Sequence, residues 1–163
     1  MADSITFDVH GLAALGDRLE GLQYDIKRKG GRFALRKAAN VVRDQAIANA
    51  KRIDDPESAA DIAENVAVRW SGRYFKQTGD LKFRVGIMGG AGGRAKSDAL
   101  ASLPGGDTRH WRHVEFGTQY ARAQPFMRTA LASSIDAASQ EFVTQYGKSI
   151  DRALRRAAKQ AGS

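Results

Sequence analysis

The chain has no cysteine, so disulfides, thiolate metal sites and a thiol nucleophile are all excluded. Histidine is nearly as scarce, with His10, His110 and His113 the only three. On a strand His113 and Glu115 would share a face, but two ligands without a third do not make a metal site. No Ser/His/Asp arrangement for nucleophilic catalysis can be assembled either. No apolar run approaches the ~18 residues that a membrane span requires, so no membrane partner is expected. Met1-Ala2-Asp3-Ser4 lacks the basic-then-apolar order of a secretory leader. The expectation is a protein that is soluble and intracellular when made. Acidic residues are also in deficit: 18 against 26 Lys plus Arg, a net charge of +8 and a pI near 10.0. Such a surface attracts polyanions. Nucleic acid and an acidic protein partner are equally good candidates on charge alone.

What is present reads as one α+β domain over residues 1–163, with a small antiparallel sheet packed against two N-terminal helices and a long C-terminal helix. Ile5, Phe7 and Val9 alternate with polar residues, as in a half-buried strand. Leu12, Leu15, Leu19, Leu22 and Ile26 form one face of an amphipathic helix. Lys27, Arg28 and Lys29 suit its C-terminus, and Gly30-Gly31 is expected to end it. A second helix is expected over Arg32 to Arg52, with Leu35, Ala38, Ala39, Val42, Ala46, Ile47 and Ala50 inward; its alanines suggest close helix packing. Asp54-Asp55-Pro56 stops it, and Ser58 to Glu64 has the length for one short turn of helix.

Residues 66–88 read as a β-hairpin. Val66, Val68 and Trp70 alternate on one arm and Leu81, Phe83, Val85 and Ile87 on the other, with Gln77-Thr78-Gly79-Asp80 as the turn. Arg69, Lys76, Lys82 and Arg84 are left on the opposite face, which makes it strongly basic. A flexible glycine-rich loop is expected over 89–109, then a short strand near His110 to Phe116. Pro125 opens a final helix whose stripe is Leu131, Ile135, Ala138, Phe142, Tyr146, Ile150, Leu154 and Ala157, with a possible kink at Gly147. Its end, 148–163, is basic.

The closest approach to an enzymatic motif begins at Gly90 and ends in Ala95-Lys96-Ser97. A phosphate-binding loop requires glycine where Ala95 stands, and it follows the first strand of a parallel sheet rather than a hairpin arm. No cofactor is implied and the chain is not expected to be an enzyme. Three basic groups remain: Arg32, Arg36, Lys37 and Arg43 on the second helix; Arg69, Lys82 and Arg84 on the hairpin; and Arg152, Arg155 and Arg156 on the last helix. Each suits either sequence-blind contact with DNA phosphates or a protein interface. Zinc-finger spacing, ribonucleoprotein aromatics and a clear helix-turn-helix are all missing, so base-specific reading is not expected.

One block points to a family. Glu115-Phe116-Gly117-Thr118, followed by Pro125-Phe126 leading into a long helix, resembles the tail-completion and head–tail joining (neck, minor tail) proteins of long-tailed double-stranded DNA phages, similar in layout to the lambda gpZ group. Leu35-Arg36-Lys37-Ala38-Ala39 and Thr78-Gly79-Asp80-Leu81 resemble other parts of that family. The resemblance implies a structural virion protein of the tail or neck. It would act as a homohexameric ring around the DNA path, beside other neck and tail proteins, with weak non-specific contact to DNA. It would be assembled in the host cytoplasm. The alternative is a non-specific, nucleoid-type DNA-binding protein. In the block itself, Gly117 can adopt positive φ, Thr118 can brace the turn, Pro125 fixes the start of the helix and Phe126 anchors it. If that ring is in the core, Phe126→Ala should cost about 3–5 kcal/mol in urea unfolding; a loss below about 1 kcal/mol would place the ring outside the core.

Overall fold

The structure, a computed structural model, describes residues 24–53, 61–89 and 97–161. Among these, five helices and two strands follow in the order α1 (Tyr24–Ala50), β1 (Val66–Trp70), α2 (Gly72–Thr78), β2 (Phe83–Ile87), α3 (Ser97–Ala101), α4 (Trp111–Phe116) and α5 (Met127–Ala161). A 3-10 turn, Ala63–Asn65, leads into β1. The class is α+β as expected, a small antiparallel sheet packed against helices that include a long C-terminal one. No described helix is long and apolar enough to cross a membrane. The expected strand at 4–9, the leucine stripe from Leu12 to Leu22, the Asp54-Asp55-Pro56 stop and most of the glycine run from Gly90 to Lys96 lie outside the described residues.

The architecture rests on two antiparallel helices. Gly30 near the start of α1 lies against Ser149 and Tyr146 of α5, and Asn49 at the end of α1 donates to the Phe126 carbonyl at the head of α5, 3.2 Å away. Between these points the seam is made of small side chains: Ala34, Ala38, Ala46 and Ala50 from α1, and Ala130, Ser134, Ala138 and Ala153 from α5 are all buried. Alanine at four-residue spacing keeps helix propensity high and lets two backbones approach closely.

Gly30-Gly31 was expected to end a helix, and α1 runs straight through it. Close approach overrides propensity here. A Cβ on Gly30 would lie 2.6 Å from Ser149 Oγ and 3.1 Å from its Cβ, and one on Gly31 would lie 3.0 Å from Leu81 Cδ1. The pair costs about 1 kcal/mol per glycine in helix propensity and makes room for α5 and for the chain before β2. Lys27, Arg28 and Lys29 therefore lie within α1 rather than at a C-terminus. In α5 the expected stripe holds in the middle, where Ala138 and Ile150 are buried and Ile135, Phe142 and Tyr146 half-buried, and fails at its ends, where Leu131, Leu154 and Ala157 are exposed and Ala130, Ser134 and Ala153 take the buried row. The small residues occupy the seam and the larger ones flank it. The helix continues through Gly147.

The two strands pair antiparallel with Val66 opposite Ile87, Val68 opposite Val85 and Trp70 opposite Phe83. These six side chains share the inner face, as the alternation predicts. The connection is not a tight turn. Helix α2 intervenes, carries Lys76 away from the sheet, and ends at Gly79, whose φ of 81° lets its N–H reach the Phe75 carbonyl at 2.9 Å. The Thr78-Gly79 chemistry is thus a helix C-cap.

Of the stretch 89–109, the latter part is tied down by Asn65, which is fully buried. Its amide nitrogen donates to the Gly106 carbonyl (2.9 Å) and Thr108 Oγ1 (2.8 Å), and its carbonyl oxygen accepts from the Gly105 N–H (3.1 Å). Gly105 is obligatory, since a Cβ there would collide with the Asp61 carbonyl. The expected strand at 110–116 is helix α4. Trp111, Val114 and Glu115 turn to the core together, at the i, i+3, i+4 spacing of a helix face.

The seam yields a prediction. Gly30→Leu forces α1 and α5 apart and should lower stability by about 1–3 kcal/mol, read as a fall in urea midpoint at unchanged slope. An unaltered midpoint would mean that the helices do not meet at this glycine.

Candidate functional site

The block from Glu115 to Phe126 forms a joint between α4 and α5. Helix α4 ends at Gly117, whose φ of 75° no other residue type adopts freely; a Cβ there would also stand 2.8 Å from the Ala123 nitrogen. Thr118 then braces a tight turn. Its N–H donates to the Ala121 carbonyl (2.9 Å), and its Oγ1 accepts from the N–H groups of Tyr120 (3.1 Å) and Ala121 (3.0 Å). The Gln124 N–H closes the loop on the Val114 carbonyl at 2.8 Å. These hydrogen bonds hold Tyr120 at the tip of the turn, 90% exposed.

Glu115 fastens the joint. It is 1% exposed, and its carboxylate covers the first turn of α5. Oε2 accepts from the N–H groups of Phe126 (2.8 Å) and Met127 (2.9 Å), and Oε1 accepts from Arg128 N–H (3.0 Å) and Nε (3.1 Å). Arg128 Nη2 also donates to the Glu115 carbonyl at 2.8 Å. The open N–H groups of a helix start are normally capped by a neighbour in sequence; here a carboxylate eleven residues upstream does so, and its charge suits the positive end of the helix dipole. Phe126 is buried with Ala50, Ile62 and Ala63, while Phe116 points outward under the Arg128 guanidinium, 5.0 Å away. Pro125 is exposed just ahead of the helix, and its carbonyl accepts from Thr129 Oγ1. Sequence reasoning named these residues but missed the Glu115 cap, because reading the segment as a strand hid which way its side chain turns.

The three basic groups are brought partly together. Arg32 stacks on Trp70 at 4.3 Å, on the face of the hairpin opposite Arg69 and Arg84. Arg69 and Arg84 face each other across the strands, and Lys82 lies over the Tyr74 ring at 4.5 Å. Arg152 and Arg155 share a second cleft with Phe33 of α1, and Lys37 lies 5.8 Å from that ring. Arg36 and Arg156 are exposed, and Arg43 is engaged locally by Asp44 at 2.6 Å and Asn40 at 3.2 Å. Resolved acidity shifts fall on Asp107, Arg109 and Tyr146, outside these three basic groups. The hydrogen bond from Arg109 holds the Asp107 carboxyl below its usual range, and burial pushes the Tyr146 phenol above its own.

One apolar feature was not foreseen. Along the α1–α5 seam runs a groove of about 410 Å³, walled by Leu35, Ala39, Val42, Phe83, Ile135 and Phe142. Among the described residues no cluster of His, Cys, Asp and Glu could hold a metal.

A comparison with family models matches residues 13–117, well over half of the chain, to the family described as "Bacteriophage HK97-gp10, putative tail-component". The chain belongs to the HK97 gp10-like family of bacteriophage tail components. No curated protein and no solved structure matches it. Membership in the HK97 gp10-like family gives the chain a structural role in the virion tail. The family match takes in α1, both strands and α4, and it ends at Gly117, inside the joint.

Removing the Glu115 carboxylate strands buried N–H groups at the head of α5. Glu115→Ala should cost about 3 kcal/mol and Glu115→Gln roughly half that, since one acceptor oxygen survives. Equal stability of both variants and the parent in urea would show that α5 needs no cap from α4.

Proposed function

We propose that this tail component works as a closed homo-oligomeric ring, a hexamer, at the head-proximal end of the tail. There it completes the tail and helps to join it to the head, in contact with other neck and tail proteins. The layout resembles tail-completion proteins of the lambda gpZ kind, and assembly would take place in the host cytoplasm. One observation carries the reading: two unlike apolar features lie too far apart in one copy to meet each other. The groove begins near Ile135, and the Tyr120 turn sits ahead of Met127. Eight or more helical residues separate them, about 12 Å along α5, and the turn is braced by Thr118 and Gly117. A projection that its own subunit cannot accommodate, and a recess elsewhere on the surface, suit a head-to-tail contact between copies. Contacts of that type close into rings when the rotation per subunit allows.

Light scattering on the purified chain, coupled to gel filtration, tests this. Six copies of the 17.7 kDa chain make a particle of about 106 kDa, visible as an annulus by electron microscopy. Tyr120→Ala on the projection and Ala39→Glu in the recess should each release monomers without lowering the unfolding midpoint by more than about 1 kcal/mol. A chain that stays monomeric at high concentration and is missing from purified phage particles overturns the proposal.

A further inference from the structure

The outer face of the two-stranded sheet is uncovered among the described residues and carries only cations and small side chains. The register sets Arg69 directly opposite Arg84, with Ala67 opposite Gly86 beside them. Like charges in that position repel and weaken a strand pair, yet neither arginine has an ion-pair partner among the described residues. Beside Gly86 the space is open, with nothing within 4 Å of where a Cβ would be. Arg84 lies between two clefts. One, of about 280 Å³, is lined by Ala67, Arg69, Arg84, Gly86 and Met88. The other, of about 420 Å³, is lined by Trp70, Ser71, Arg73, Tyr74, Lys82 and Arg84 and by no acidic side chain. The arginine pair is unfavourable in the protein alone, and an oxyanion between the two guanidinium groups would relieve it.

We infer that this face, from Arg69 and Arg84 to Arg73 and Lys82, binds the phosphodiester backbone of DNA without reading its sequence. The positive charge forms a track, not a point. Lys82 and Arg84 are two residues apart in extended chain, about 7 Å, with Arg69 across the strand pair and Arg73 beyond the cleft. Guanidinium groups grip phosphate oxygens in pairs. The flat floor at Ala67 and Gly86 admits a polymer. The surface does not depend on ring closure, so it stands or falls separately from the proposal above.

Fluorescence anisotropy of the full chain with a labelled duplex of about 20 base pairs, titrated between 50 and 200 mM salt, tests it. Arg69→Ala/Arg84→Ala should weaken binding about tenfold at low salt and flatten the plot of log affinity against log salt by about two units, roughly 0.9 per lost phosphate contact. The same variant should melt no lower than the parent, because a repulsion has been removed. Arg152→Ala/Arg155→Ala, with the same loss of charge on α5, should change affinity less than threefold. Equal losses in the two double variants would reduce the effect to bulk charge and overturn the assignment. So would tight binding of inorganic phosphate alone by calorimetry, which would make the site one for the free ion. Polyglutamate displacing the duplex at matched charge concentration would mark an acidic-protein surface instead, and would equally overturn it.

Discussion

The close approach of two antiparallel helices is the constraint on which the other features depend. Because Gly30, Ala34, Ala38 and Ala46 face Ala130, Ser134, Ala138 and Ser149, the backbones of α1 and α5 come together with little side chain between them. The interaction is dispersion over a long contact, small per atom and large in sum. The sheet lies on the pair, not inside it: Val66 packs with Ala46 and Ala130, with Val85 and Ile87 against the same cluster. A seam of small residues also leaves larger ones on its flanks. The apolar groove beside it and the exposed Leu131 and Leu154 both follow from that division.

Much of this was legible in the sequence. The alternation of Val66, Val68 and Trp70 with Phe83, Val85 and Ile87 predicted two strands and their shared face, and the pairing puts the same residues together. The alanines of α1 announced a close helix contact. The misreadings have one physical origin, which is that local signals describe propensity while tertiary contact decides. Gly30-Gly31 has the chemistry of a helix end and serves as a gap for Ser149 and Leu81. Thr78-Gly79 has the chemistry of a hairpin turn and caps α2. His110 to Phe116 is short enough for alternation to imitate a strand, and only the burial of Trp111, Val114 and Glu115 on one side makes it helical.

The joint at Glu115 was legible in its parts and not in its connection. A glycine for a positive φ, a threonine for a brace and a proline before a helix are local demands, and each can be read from residue type. A carboxylate that reaches eleven residues forward to backbone N–H groups is a property of the folded chain. Charge shows the same limit. The sequence identified Arg69 and Arg84 as outward and basic, but their direct opposition and the clefts on either side of Arg84 exist only once the register is fixed.

The Glu115 cap also bears on what the smallest self-sufficient piece of this molecule is. The span that matches the family model stops at Gly117, two residues past the carboxylate and ten short of α5. A fragment cut there would retain a buried acid stripped of every donor it serves, and an alanine seam facing water. The terminal helix is therefore not an appendage that evolution or an engineer could exchange freely. It is thermodynamically continuous with the matched portion, because the first-turn N–H groups of α5 are what hold the Glu115 carboxylate in the interior.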